Sequence, residues 1–177
     1  MAKTAEKEKT NDSTQNKGVI FIEKIKITPE RCAIIKYRTS NDDFAKETTF
    51  TGKEQVTEEF KSAFQSTVEG FCGCIPRLTG DINKITMNCI KFDYGTDDYL
   101  KQAQYSIKYA FNDQNNAVIN ISTPFLPIYK EGMENTFCIS RKHEEALHEV
   151  IRLAKAYING DTRTKQIKLV VDNTEEK

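Results

Sequence analysis

The sequence lacks a long apolar run, an excess of charge of one sign and a glycine-rich phosphate loop. No stretch approaches the roughly 20 apolar residues that cross a bilayer, so we expect no membrane association. The 26 Lys and Arg residues balance 26 Asp and Glu residues, which excludes a global attraction to nucleic acid or acidic lipid. No dinucleotide fingerprint or nucleophile elbow occurs. No residue pattern favours an enzyme, which stays a third alternative behind two binding functions, and we expect no catalytic residues and no cofactor.

The five cysteines do not have the spacing of a disulfide framework or a zinc site. Cys72 and Cys74 are one residue apart, but a structural zinc site needs a second ligand pair, which the sequence lacks. His143 and His148 are five residues apart, so they do not share a helix face. We expect reduced thiols, no metal, and two histidines on a solvated helix face. Reduced thiols are typical of a cytoplasmic protein.

Three regions differ in composition. Residues 1–17 carry seven charges and almost nothing to bury, so we expect a disordered tail without a secretory signal. Residues 18–171 contain the periodic apolar patterns and are predicted to form a single domain with a substantial core. Residues 172–177 are predicted to be a loose tail.

The clearest pattern is a long antiparallel hairpin within residues 99–123. A polar run at 112–116 is typical of a turn. On either side of it, apolar residues alternate with polar ones, as in strands that are buried on one face. The apolar positions are Ala103, Tyr105, Ile107, Tyr109 and Phe111 before the turn, and Ala117, Ile119 and Ile121 after it.

Four further strands are predicted at 19–27, 32–38, 47–51 and 84–94, with a short one at 166–171. In the fourth, Ile85, Met87 and Cys89 share one parity, whereas Ile90, Phe92 and Tyr94 share the other. Such a phase slip indicates a β-bulge.

Two amphipathic helices complete the pattern. The first is predicted over 54–69, with a capping box from Thr51 to Glu54 and its end at Gly70. The second is predicted over 141–159, capped by Ser140 and stopped by Asn159-Gly160. The order βββα-βββα favours an α+β fold, a mostly antiparallel sheet of about six strands with both helices on one face. We expect the helices to bury Phe60, Phe64, Leu147, Val150 and Ile151 against Tyr105, Ile107, Ile119 and Ile121.

Basic residues are concentrated in the strands. The segments 19–27, 32–38, 84–94 and 100–111 hold eight basic residues and two acidic ones. A positive polar face of this kind suits a phosphate backbone or a nucleotide. The candidate ligand-binding residues are Lys24, Lys26, Lys36, Arg38, Lys91 and Lys108. An alternative stays open, because lysine on a solvated strand face also discourages edge pairing.

Two segments resemble small uncharacterised proteins of phages and prophages in gut bacteria. One is AVINISTPFLP (117–127), similar to a strand running into Asn-Thr-Pro-x-Leu-Pro; here Ser122 intervenes and Phe125 occupies the variable slot. The other is AKAYINGDTR (154–163), a helix end similar to Tyr-Ile-x-Gly-x-Arg. The resemblance implies a mobile-element origin, the cytoplasm of a bacterial host, and an accessory role in phage DNA metabolism or in countering host defence. It supplies no catalytic residue.

Together these observations favour a phage-type binding protein for single-stranded nucleic acid, acting in DNA replication or recombination. The alternative is an anti-defence protein that sequesters a signalling nucleotide or binds a host protein. An open groove would favour the polymer, and a pocket the small ligand. A phage or host protein partner and a homo-oligomer are compatible with both.

Overall fold

The computed structural model describes residues 18–41, 44–96, 98–111, 117–131 and 137–161. The predicted N-terminal tail, the predicted strand at 166–171 and the C-terminal tail lie outside these residues. The strands are β1 (Val19–Ile27), β2 (Cys32–Asn41), β3 (Phe44–Gln55), β4 (Ile85–Tyr94), β5 (Leu100–Ala110), β6 (Val118–Ser122) and β7 (Leu126–Pro127). The helices are α1 (Glu58–Ser66), α2 (Val68–Cys74) and α3 (Arg141–Asn159), with a 3₁₀ segment at Pro76–Lys84.

The strands form one antiparallel sheet, which confirms the predicted α+β class. Its order is β3-β2-β1-β4-β5-β6, and β7 pairs with β5. The two three-strand units therefore meet at the central pair β1–β4. That pair is short, because only Lys24–Lys26 and Cys89–Lys91 face each other in register.

The helices cover one face of the sheet and share one core with it. Phe60, Leu147 and Val150 are fully buried, as are Tyr105 and Ile107 of β5. The predicted burial of Ile119 is wrong, since its side chain is 43% exposed. Ile119 lies on β6, the edge strand, which pairs only with β5 among the described residues. Ile121 on the same strand is partly buried.

The first predicted helix is two helices, and its predicted start is wrong. Thr51 and Glu54 belong to β3, while the hydroxyl of Thr57 accepts a hydrogen bond from the Phe60 amide at 3.2 Å. A hydroxyl that caps the third residue of a helix satisfies one of its free amide donors. The helix is interrupted at Thr67, which lies between α1 and α2, so Gly70 is inside α2 instead of ending the helix.

Tyr157 fixes the end of α3 against the edge strand β3. Its hydroxyl donates a hydrogen bond to the Glu54 carbonyl, and its ring stacks edge-on against Phe50. A Cβ on Gly52 would overlap the Tyr157 ring, so glycine is required there for close approach. The helix then ends at Gly160, which has a left-handed φ of 87° and confirms the predicted stop.

The prediction that both histidines are solvated is wrong for His143. Its imidazole packs against Gly70 and Gly73 of α2, and its Nδ1 lies 3.0 Å from the Ser140 Oγ. Burial lowers the pKa of His143 below its ordinary value, with Lys142 adding to the effect and Glu69 opposing it. His148 is exposed, as predicted.

Candidate nucleic-acid interface

The register of the sheet gathers five lysines on the outer face, the face opposite the helices. Lys24 lies directly opposite Lys36 on β2 and Lys91 on β4, and Lys26 lies opposite Cys89. Lys108 joins them from β5, where it faces Thr86. We call Lys24, Lys26, Lys91 and Lys108 the lysine cluster.

No carboxylate within the described part of the chain forms an ion pair with any member of the lysine cluster. Like charges directly opposite each other in a sheet are destabilising, by about 0.2–1 kcal/mol a pair. Lys24 faces a like charge on both sides, Lys36 and Lys91. The fold therefore keeps an arrangement that costs stability unless an anion shares the charge.

The other two candidate residues, Lys36 and Arg38, are neutralised within the protein. The Lys36 Nζ lies 2.7 Å from Glu47 and 3.1 Å from Glu23, and these contacts raise the pKa of Lys36. Arg38 lies 3.6 Å from Asp98 and stacks over the Phe21 ring at 4.6 Å. All six candidate residues thus lie on the outer face. Among the described residues, the four members of the lysine cluster have no ion-pair partner, whereas Lys36 and Arg38 do.

Two bulges produce this arrangement, and the sequence pattern located only one of them. The bulge predicted in β4 is present, but it lies between Met87 and Cys89. Cys89 is therefore on the outer face, not with Ile85 and Met87 as its parity suggested. The second bulge, in β1 between Ile22 and Lys24, leaves Glu23 without a β2 register partner. Glu23 approaches both Lys36 and Arg38 in this way.

Cys89 forms the buried floor of the lysine cluster. It is only 6% exposed, although it lies on the outer face. Burial raises the pKa of its thiol, and the charges of Lys24, Lys91 and Lys26 oppose that effect. A raised thiol pKa keeps Cys89 protonated at neutral pH, so it does not neutralise the lysines.

Sequence parity missed one residue of this face, Phe125. Thr123 bonds to the Tyr105 backbone, and Leu126 faces Ala103, so Pro124 and Phe125 loop out between two paired positions. Phe125 is 42% exposed and lines an outer-face groove of about 470 Å³. Lys24, Lys36, Arg38 and Lys91 line the same groove. No pattern in the sequence indicated that Phe125 belongs to this face.

The groove combines the two groups that single-stranded nucleic acid needs. Ammonium groups bind phosphates, and an exposed aromatic ring stacks on a base irrespective of its identity. The same groove also holds Glu23, Glu47 and Asp93. Against its four cations, these three carboxylates leave the groove an excess of one positive charge.

Within the described ranges, no set of three or more His, Cys, Asp or Glu side chains is arranged to hold a metal ion. No helix in the same ranges is long and apolar enough to span a membrane.

Comparison with known proteins found no matching family model, no similar curated protein and no similar solved structure.

Proposed function

We propose that this protein binds single-stranded nucleic acid on the outer face of its sheet, without catalysing a reaction. The observation that carries the proposal is the unneutralised pair Lys24 and Lys91, which lie directly opposite each other on β1 and β4. Phosphates bound to Lys24, Lys26, Lys91 and Lys108 would relieve this repulsion. Phe125, which lines the groove with Lys24 and Lys91, supplies a stacking surface for one base.

The open form of the groove favours a polymer over a small enclosed ligand. It follows the outer face from β2 across β1 to β4, where Phe125 closes one side. A strand of nucleic acid can continue past both ends of such a groove. The resemblance to phage and prophage proteins supports an accessory role in phage DNA replication or recombination, in the cytoplasm of a bacterial host.

The alternative, an anti-defence protein that sequesters a signalling nucleotide, depends on a different feature. A second cavity of about 570 Å³ shares Lys26 and Lys108 with the lysine cluster. Its volume is in the range of small-molecule sites. A cavity of this size favours a small ligand such as a nucleotide.

Binding of a fluorescent 12-nucleotide single strand tests the proposal. The site variant replaces the lysine cluster with glutamine: Lys24→Gln, Lys26→Gln, Lys91→Gln and Lys108→Gln. The matched control removes four exposed lysines elsewhere: Lys46→Gln, Lys53→Gln, Lys101→Gln and Lys130→Gln. Both variants have the same net charge, so their difference reports the location of the charges.

At low salt we expect the parent and the control to bind alike and the site variant to bind at least 30-fold more weakly, from four lost phosphate contacts. Lys36→Gln and Arg38→Gln should change affinity less than Lys24→Gln, because carboxylates already neutralise Lys36 and Arg38. Equal loss of affinity in the site and control variants would refute the proposal, and so would a parent that binds no single strand.

A further inference from the structure

A cleft opens in the sheet where β1 and β4 separate. The two strands pair only from Lys24–Lys26 to Cys89–Lys91, after which β1 turns into β2 at Thr28. The first residues of β4 consequently have no β1 partner. A side chain of α1 takes that place: the Gln65 Nε2 donates to the Ile85 carbonyl at 2.9 Å, and its Oε1 accepts from the Met87 amide at 3.1 Å.

The side-chain amide of Gln65 thus takes the place of a neighbouring strand, because it hydrogen-bonds to two backbone groups on the unpaired edge of β4. Because it fills only one position, a cavity of about 570 Å³ remains between the β1–β2 turn, α1 and β4. We call this cavity the β1–β4 cleft. Its bottom is apolar, with Ile27, Phe64 and Met87 among its lining residues.

The rim of the β1–β4 cleft is positively charged. It carries Lys26, Arg31, Lys61 and Lys108, and no lining residue is acidic. Arg31 and Lys61 share one carboxylate, that of Glu58, at 2.6 and 3.4 Å. Four cations with one carboxylate leave an excess of three positive charges around an apolar cavity. A ligand that matches both features has an apolar body and an anionic group.

We propose that the β1–β4 cleft binds a single nucleoside phosphate, with the base against the apolar lining and the phosphate on the cationic rim. Asn88, half-buried in the cleft wall, presents an amide that both donates and accepts hydrogen bonds, as recognition of a base edge requires. The cleft volume is in the range of pockets that enclose small ligands.

A nucleoside phosphate could come to the β1–β4 cleft from two sources. One is a free nucleotide, which does not depend on the proposed function. The other is the terminal nucleotide of a strand on the lysine cluster, and this source rests on the proposed function because Lys26 and Lys108 belong to both sites. The experiment therefore needs variants that separate the cleft from the outer face.

Calorimetric titration with adenosine monophosphate tests the proposal, with adenosine and inorganic phosphate as partial ligands. We expect the nucleotide to bind at least tenfold more tightly than either part. The variant Arg31→Asn with Lys61→Gln removes the two rim cations outside the lysine cluster. Arg31 has a φ of 64°, which asparagine tolerates, so this variant should fold. It should bind the nucleotide at least tenfold more weakly.

Thr86→Trp is a second, independent variant that fills the cleft from its exposed side, and it should also weaken nucleotide binding at least tenfold. The converse variant, Lys24→Gln with Lys91→Gln, changes two residues outside the cleft. Its affinity for the nucleotide should stay within about twofold of that of the parent, while its affinity for a single strand should fall. A single strand that displaces the nucleotide identifies the strand end as its source, and one that does not identifies the free nucleotide.

Parent protein that does not bind adenosine monophosphate overturns the cleft proposal, even if it binds a single strand. Binding that neither Arg31→Asn with Lys61→Gln nor Thr86→Trp weakens overturns it as well. Nucleotide binding that both variants abolish supports the cleft, even where the parent binds no single strand. Nucleotide binding in the cleft and single-strand binding on the outer face can therefore be refuted independently.

Discussion

Lys24 and Lys91 lie directly opposite each other on the central strand pair, two like charges at the middle of the outer face. Lys36 faces Lys24 from the other side, but its charge is shared by Glu23 and Glu47. A fold under selection for stability alone has no reason to keep Lys24 and Lys91 together. An anionic ligand on this face is the physical explanation that we favour.

This relationship predicts that Lys24→Gln stabilises the fold while it weakens binding. Removing the repulsion should raise the free energy of unfolding by about 0.5 kcal/mol, and the gain should be larger at low salt. Urea denaturation measures it, with Lys46→Gln on the edge strand β3 as the control. A Lys24→Gln protein that is less stable than both the parent and the control would contradict the repulsion.

Phe125→Ala should weaken single-strand binding without changing stability. Loss of one stacked base costs about 1–3 kcal/mol of binding free energy. The side chain is 42% exposed, so its truncation leaves the core intact. The matched control is Tyr99→Ala, which removes an aromatic ring that is 78% exposed and lies outside the groove.

An abasic strand distinguishes base stacking on Phe125 from phosphate binding. It retains the phosphates but has no base to stack, so the parent and Phe125→Ala should bind it equally. A Phe125→Ala defect of the same size on the abasic strand would assign the effect to something other than stacking.

The hydroxyls of two buried tyrosines should behave oppositely when removed. The Tyr105 hydroxyl is buried without a hydrogen-bond partner within the described residues, and burial raises its pKa. Tyr105→Phe should leave the free energy of unfolding unchanged or raise it by about 1 kcal/mol. Tyr157→Phe removes the hydrogen bond to the Glu54 carbonyl and should lower it by about 1–2 kcal/mol. Chemical denaturation of both variants provides the comparison, and a marked loss in Tyr105→Phe would show that its hydroxyl has a partner.

The half-buried position of His143 predicts a loss of stability on acidification. Its pKa in the folded state is below the ordinary value of 6.5, so the unfolded chain takes up the proton first. The contribution is complete above pH 6.5 and is lost as pH falls below that value toward the folded-state pKa. His143→Gln should reduce the difference between urea midpoints at pH 7.5 and 5.5, with His148→Gln as the control. An unchanged difference in His143→Gln would exclude this histidine as the cause.

Local patterns were sufficient to predict most of the fold. Alternation predicted the burial of Tyr105 and Ile107 on β5, and the apolar stripe of α3 predicted the burial of Leu147 and Val150. The exposure of Ile119 was not predictable in this way, because it depends on β6 being an edge strand, a property of the strand order. The cap at Thr57 was missed because Thr51 and Glu54 have the same capping spacing but are in β3.

The candidate site was predictable only as a set of residues on one face. The concentration of basic residues in the strands, among them Lys24, Lys36 and Arg38, predicted a positive face, but it could not show which charges are neutralised. That depends on Glu23, which a bulge brings to Lys36 and Arg38, and on Asp98, which arrives from a loop. The cleft was not predictable at all, since it arises where two strands distant in sequence stop pairing.

The salt dependence of single-strand binding tests the central claim most directly. Each phosphate that a lysine neutralises contributes about −0.7 to the slope of log affinity against log salt. Four contacts predict a slope of about −3 for the parent and for the control that lacks Lys46, Lys53, Lys101 and Lys130. The variant without Lys24, Lys26, Lys91 and Lys108 should give a slope near zero. A site variant that keeps the slope of the parent would contradict the claim that these lysines hold the phosphate backbone.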